Sequence, residues 1–233
     1  MRAYVVIATR NRHEKLMRTL ESLSGQLDGG HVYLACNDDS TEAFIRTHAD
    51  PDRLGFNGTC VHSGENLGSV AGRNLCLRAL RFHDGADVIV IATDDVIFQE
   101  GAIQQAAREI HEGGGDAMDF MVGFTQTGNR KFHPAGIVAC GNEFVNHFPY
   151  RQLYYPRYWH FACQELYEAA SIMGRFKLSD KAIVHHLNPI TGEGEMDRTH
   201  AEARMQKERD FARWKKRNSE GMYWGATDGG DSI

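Results

Sequence analysis

The sequence predicts an α/β protein with a doubly wound sheet, and three observations carry that expectation. Continuous apolar, β-branched runs of strand length, "AYVVIA" at 3–8 and the apolar part of "ADVIVIATDDVIF" at 86–98, have the pattern of strands buried on both faces of a parallel sheet. Stretches with apolar residues at helical spacing alternate with such runs, which implies right-handed crossovers. Polar clusters at 9–12, 37–41 and 93–95 follow three of the runs, and open α/β sheets bind ligands outside the carboxyl ends of their strands.

Each element has its own signal. After the first run, "TRNRHEKLMRTLESLSG" places Leu16, Leu20 and Leu23 on one helical face and ends at Gly25, a natural stop. "HVYLACNDDS" (31–40) is a second strand with a polar end, and "CVHSGENLGSVAGRNLCLRAL" (60–80) gives a short strand, a glycine-punctuated turn and a helix. Residues 86–98 form the next strand, and a helix over 101–112 ends at "EGGGD". From 117 onward the pattern changes: "AMDFMVGFTQTG", "AGIVACG" and "EFVNHF" have the form of shorter, antiparallel-type strands between glycine turns. Residues 158–176 are helical in their middle, through Leu166, Ala169, Ala170 and Met173, "KAIVHHLNP" is a strand ending in two histidines, and "GATDGGDSI" is a frayed tail.

Composition narrows the classes. Hydrophobic residues at 42% and charged residues at 24% over 233 positions describe a folded globular chain that needs no cofactor merely to fold. Its five cysteines are odd in number and form no C-x-x-C pair, which argues against a disulfide framework or a zinc knuckle and for a reducing cytoplasm. No apolar stretch approaches the roughly 18 to 20 residues that span a bilayer, and the apolar part of the N-terminus is too short for a signal peptide. Formal net charge is −5, yet residues 198–217 carry eight Lys/Arg against three Asp/Glu. A basic C-terminal helix on an acidic body is either a solvated face or a surface for an anionic partner.

The polar tips suggest a chemistry. Adjacent carboxylates at the end of an apolar strand, Asp94 and Asp95, either cap a turn or offer hard oxygen ligands to Mg²⁺ or Mn²⁺, ions that also bind substrate phosphates. His185 or His186 offers an imidazole, which suits Mn²⁺ better than Mg²⁺. Side chains alternate faces along a strand, so one of these two neighbours can point to a shared ion. Arg10, Arg12 and Arg73 supply positive charge where a diphosphate needs it. The turn "ENLGSVAGRN" has neither the Walker frame nor G-x-G-x-x-G, which disfavours a nucleoside triphosphatase or a dehydrogenase.

In order and spacing, "VVIATRNRHEKLMRTLESL", "ACNDDSTE", "ENLGSVAGRN", "TDD" at 93–95, "QEL" at 164–166 and "VHHLNP" resemble the motifs of family 2-like glycosyltransferases of the GT-A fold, over roughly residues 3–190. The resemblance implies a Rossmann-like nucleotide-binding half, a mixed central sheet, an acceptor-binding half and a nucleoside diphosphate sugar donor, a UDP-sugar in the first instance. Carried over by position, it implies that Thr9, Arg10 and Arg12 line the nucleoside pocket and that Asn37, Asp38 and Asp39 read the base. Asn66 and Arg73 fall near ribose and phosphate, and Asp94 near ribose or sugar. Asp95 and His186, or its neighbour His185, bind Mn²⁺ or Mg²⁺. Two positions depart from the pattern, Thr93 at the first place of the D-x-D motif and Asn37 where an aspartate is frequent. In the "QE" pair Gln164 cannot accept a proton, so Glu165 is the expected base of an inverting transfer, with Asp180 a weaker substitute.

Size, the aromatic run "NHFPYRQLYYPRYWHF" (146–161) and the basic helix resemble small bacteriophage-encoded glycosyltransferases, some of which decorate modified bases in DNA; that comparison puts the enzyme in the host cytoplasm. DNA and glycan therefore both stand as acceptors, since aromatics stack on bases and on sugars alike. Two other classes compete: a sugar-nucleotide binding module without transfer activity, and a nucleotidyltransferase, which needs a signature loop that "TRNRHEKL" does not provide. The expected organisation is a nucleotide-sugar half over 1–115, an acceptor and metal-completing half over 116–195, a basic helix over 196–224 and a tail over 225–233.

Overall fold

The computed structural model describes residues 1–27, 29–80, 85–127, 132–187 and 197–227. The elements run β1 (Ala3–Thr9), α1 (His13–Leu23), β2 (His31–Cys36), α2 (Asp39–His48), α3 (Pro51–Leu54), β3 (Asn57–Ser63), α4 (Gly68–Leu80), β4 (Val88–Thr93), β5 (Val96–Phe98), α5 (Ala102–Gly114), β6 (Met121–Thr127), β7 (Val138–Gly141), α6 (Asn142–Asn146), α7 (Cys163–Ile172), β8 (Phe176–His186) and α8 (Arg198–Ser219). Eight strands form one sheet in the order β3-β2-β1-β4-β7-β6-β8-β5. The half from β3 to β4 is parallel. β7 then runs antiparallel to both β4 and β6, β8 parallel to β6, and β5 antiparallel to β8.

Burial follows from the apolar runs. Val5, Val6 and Ile7 of β1 and Val88 to Ala92 of β4 are fully enclosed because helices cover both faces. One face packs Leu16, Leu20 and Leu23 of α1 with Ile103, Ala106 and Ile110 of α5, and the other packs Val70 and Leu77 of α4 with Phe144 and Leu166. Most of the aromatic run lies in this second core: Phe148, Tyr154, Tyr155 and Tyr158 are buried, whereas Tyr150 is exposed. Among the described residues no helix is long and apolar enough to cross a membrane.

Three segments depart from the expected elements. Residues 86–98 are two strands: the chain turns at Asp94–Asp95, and Val96–Phe98 leaves β4 to pair with β8 at the far edge of the sheet. Periodicity cannot register such a break, since both pieces are apolar. "EFVNHF" is the helix α6, because Gly141 ends β7 and Phe144 and Val145 bury one side of a short turn rather than alternating. The final β8 is longer than "KAIVHHLNP" suggests, beginning at Phe176. The boundary expected at 195/196, Asn188 and Pro189, and residues 228–233 of the tail lie outside the described residues.

Candidate functional site

The carboxyl ends of β1 and β4, the end of β8 and the first turn of α8 meet at one place. Asp94 and Asp95 are only 3% and 2% exposed, a costly position for two carboxylates unless partners compensate. Asp94 accepts from the Thr9 hydroxyl at 2.8 Å and from Arg12 Nη1 at 2.8 Å, and the same nitrogen lies 3.4 Å from Asp95 Oδ2. Burial works against the charge on Arg12, but Asp94, Asp197 and Asp95 outweigh it and raise its pKa further. Burial pushes the Asp94 carboxyl up, partly countered by Arg12. It would push Asp95 up too, but His186 and His200 hold that carboxyl well below the usual range.

His186 arrives because β8 ends beside the turn. The Leu187 N–H donates to the Asp95 carbonyl at 2.8 Å, and Val96 pairs with His186 in register. His186 Nε2 then stands 3.2 Å from Asp95 Oδ1, while its Nδ1 lies 2.7 Å from Gln126 Oε1. A side-chain carbonyl only accepts, so Nδ1 carries a hydrogen towards Gln126 and Nε2 is the ring atom turned to Asp95. Nε2 and Asp95 Oδ1 are thus two potential ligand atoms side by side, which a cation could bridge when Nε2 carries no hydrogen. His185 points elsewhere, its Nδ1 lying 3.0 Å from the Thr127 hydroxyl. Among the described residues no three His, Cys, Asp or Glu side chains already surround a common point as a metal site.

The donor-side residues expected from the sequence cluster around this centre to different degrees. Asn11 takes a left-handed conformation, φ 52°, which its short polar side chain tolerates, and its N–H donates to Asp38 at 2.9 Å. Asp38 is the N-cap of α2, with both oxygens engaged by Ser40, Thr41 and Asn11, while Asp39 is exposed. Asn37 is buried and accepts from the Leu67 N–H at 3.2 Å. Gly72 lets α4 approach, since a Cβ there would lie 3.0 Å from the Ala35 Cβ and 3.2 Å from the Ala8 Cβ. Arg73 is thereby carried under the β4 tip, where Nη2 reaches the Ala92 carbonyl at 3.3 Å and Nε has no hydrogen-bond partner among the described residues. Asn66 accepts from the Gly68 N–H at 3.0 Å and holds the start of α4.

Sequence reasoning missed the first turn of α8, which it treated as part of a basic face. Asp197 caps that helix, with His200 completing a reciprocal capping box. Asp197 also receives Arg12 Nε at 2.9 Å and Lys15 Nζ at 2.9 Å. His200 Nε2 lies 3.7 Å from Asp95 Oδ2, and Glu202 pairs with Arg10. An Asp before a helical stretch with a residue able to reach back at the third position was the available signal.

Glu165 stands apart from the cluster. It is 3% exposed and pairs with Arg217 of α8, Nη2 to Oε1 at 2.8 Å. Tyr158 donates its hydroxyl to Oε2, and the Trp224 N–H donates to Oε1 at 2.8 Å. Both oxygens are thus occupied by a structural contact that fastens α8 to α7. Its neighbour Gln164 instead meets His133 at 2.9 Å, and Asp180 is exposed near the middle of β8.

The fold has counterparts. The family model for glycosyl transferase family 2 matches residues 4–173. The crystal structure of S. aureus TarS matches with TM-score 0.59 at 15% identity, covering 80% of this chain and 36% of that one. TarS 1-349 in complex with UDP matches with TM-score 0.59 at 15% identity, over 79% of this chain and 60% of that one. The complex of the same fragment with UDP-GlcNAc gives TM-score 0.55 at 15% identity, over 79% and 58%. This chain therefore spans about a third of the first TarS chain and about 60% of TarS 1-349. No curated protein matches. With the family model extending over most of the chain and the mixed sheet of the TarS structures recurring in it, the chain belongs to glycosyl transferase family 2 and has the GT-A fold.

Proposed function

We propose that the chain transfers a sugar from a nucleoside diphosphate sugar, a UDP-sugar, to an acceptor hydroxyl with inversion at the anomeric carbon. The observation that carries this reading is the meeting of the Asp94–Asp95 turn with Arg12 and His186 at the carboxyl ends of the parallel strands. Relatives of the same fold are described in complex with UDP and UDP-GlcNAc. Thr9, Arg10, Arg12, Asn37, Asp38, Asp39, Asn66 and Arg73 lie along the edge that would take the nucleotide, with Asp94 held towards ribose or sugar by Thr9 and Arg12.

Asp95 and His186 would hold Mn²⁺ or Mg²⁺, which when bound supplies positive charge to the departing diphosphate. The closeness of Asp95 Oδ1 and His186 Nε2, 3.2 Å, supports that fit. The chain's own groups do the rest. Arg12 and Arg73 attract and orient the diphosphate, and Gln126 keeps His186 in the tautomer that can ligate. Donor phosphate would compete with carboxylates, with Glu202 for Arg10 and with Asp197 for Arg12.

On the acceptor side, α8 carries Phe211 stacked on Trp214 at 5.3 Å, with Lys215 over the Phe211 ring at 4.6 Å. Stacked aromatics beside cations suit either a glycan or DNA. Thermal shift with a panel of UDP-, GDP- and CDP-sugars, with and without Mn²⁺, tests the donor. A UDP-sugar that stabilises the protein more in Mn²⁺ supports the reading. Nucleotides that leave the melting temperature unmoved contradict it, and binding without any release of UDP leaves a binding module.

A further inference from the structure

Resting on the glycosyl-transfer reading, we propose that His160 is the base that takes the proton of the acceptor hydroxyl. His160 lies on the segment that leads into α7 and is exposed. Two contacts set its position. The backbone N–H groups of Trp159, His160 and Phe161 all donate to Asp210 Oδ2, at 3.0, 2.8 and 3.1 Å, and Asp210 is fully buried on α8. A single carboxylate thus fixes three successive residues. The same segment presses on the start of α4, where a Cβ at Gly68 would lie 2.7 Å from the Trp159 ring. His160 is therefore carried to the N-terminus of α4, beside the stretch from Asn66 to Arg73 on the donor side.

The hydrogen bonds accommodate the required tautomer. Ser69 Oγ lies 3.4 Å from the Trp159 carbonyl and 3.3 Å from His160 Nδ1. With the hydroxyl donating to the carbonyl it can accept from Nδ1–H, which leaves the lone pair on Nε2. Glu165 instead has both oxygens engaged by Arg217, Tyr158 and the Trp224 N–H.

Electrostatics keeps the ring ready. Arg73 on α4, Lys207 on α8 and Arg12 on the loop after β1 hold the imidazole below its ordinary value, against an opposing pull from Asp210. At neutral pH the ring is unprotonated. A diphosphate bound to Arg12 and Arg73 cancels much of the positive field and raises the proton affinity of Nε2, so the base gains strength as the donor arrives. In the step itself the acceptor O–H proton passes to Nε2 and the acceptor oxygen bonds to the anomeric carbon. The bond from that carbon to the β-phosphate oxygen breaks, and the nucleoside diphosphate leaves with the electron pair.

The test uses the full chain with His160→Ala and His160→Gln, UDP and UDP-GlcNAc or whichever UDP-sugar gives the largest thermal shift. UDP affinity is measured by calorimetry, and UDP release to water and to acceptor against pH. The expected result is UDP affinity within about threefold of wild type, with UDP release falling about 100-fold or more, the range of a lost general base. The acid limb of log kcat against pH should vanish, and added imidazole should partly restore the Ala variant. Release within threefold of wild type, loss of UDP affinity in step with the rate, or the absence of imidazole rescue overturns the assignment. Wild-type protein that binds no UDP fails the donor reading itself, whereas wild type that binds UDP but releases none from any UDP-sugar overturns the base and leaves the nucleotide pocket standing.

Discussion

His186 Nε2 stands 3.2 Å from Asp95 Oδ1, joining the turn between β4 and β5 to the end of β8. Because Gln126 accepts from the other ring nitrogen, Nε2 is the atom that can share a cation with the carboxylate. His186→Ala is expected to weaken the Mn²⁺-dependent part of UDP binding by about ten- to a hundredfold, as ligand and supporting groups in metal sites do. His185→Ala should leave it unchanged, since that ring turns to Thr127. Calorimetry of the two variants in Mn²⁺ and in chelator separates them.

Glu165→Gln and Arg217→Met each leave a buried charge without its partner. Either is expected to lower stability by about 3–5 kcal/mol, the cost of breaking an enclosed ion pair from one side, read as a large fall in the urea midpoint. Replacing both at once should recover much of the loss, and the folded double variant should keep UDP affinity. Unchanged stability in the single variants would contradict a fastening role for this pair.

Asp38 caps α2, so Asp38→Ala is expected to cost about 1 kcal/mol. Burial opposes its ionisation, yet hydrogen bonds from Thr41, Asn11 and Ser40 hold the carboxyl down to about 2. An unfolded aspartate titrates near about 3.9, so between these values the unfolded chain binds more protons and stability rises with pH. The contribution is complete above about pH 4 and disappears as pH falls through about 2. Acid unfolding followed by circular dichroism should show a shallower slope in Asp38→Asn.

Lys215 lies over Phe211 on α8, and Lys216 is exposed beside it. Reversing both to Glu should weaken binding to single-stranded DNA and flatten its salt dependence by roughly one counterion for each phosphate that is no longer neutralised. Equal binding by variant and wild type in low salt would remove DNA from the acceptor classes. Arg217 is unsuited to this test despite belonging to the same basic run, because it is buried against Glu165 and Tyr155.

Much of the parallel half was legible because its signals are local. β1, α1, β2, α4 and the polar tips at Thr9, Asn37 and Asp94 follow from runs and periods within a few residues. The assembly around Asp95 was partly legible: the late histidines announced themselves, but which one faces the carboxylate depends on β8 pairing with β5, a register set across the whole sheet. The break at Asp94–Asp95 was hidden because Val96, Ile97 and Phe98 continue the apolar composition of β4 while belonging to another edge. Glu165 and Arg217 look like ordinary helix charges in sequence, and only the packing of α8 on α7 makes them a buried pair. His160 gave no local signal, since its setting comes from Asp210, Ser69 and Arg73 on two other elements.

Calorimetric titration of UDP into wild type and Asp95→Asn, each with and without Mn²⁺, tests the site most directly. The account predicts that Mn²⁺ tightens UDP binding to wild type by about tenfold or more and that Asp95→Asn loses this gain while keeping its metal-free affinity. Equal UDP affinity with and without Mn²⁺ in the wild type, or an undiminished gain in Asp95→Asn, would contradict it.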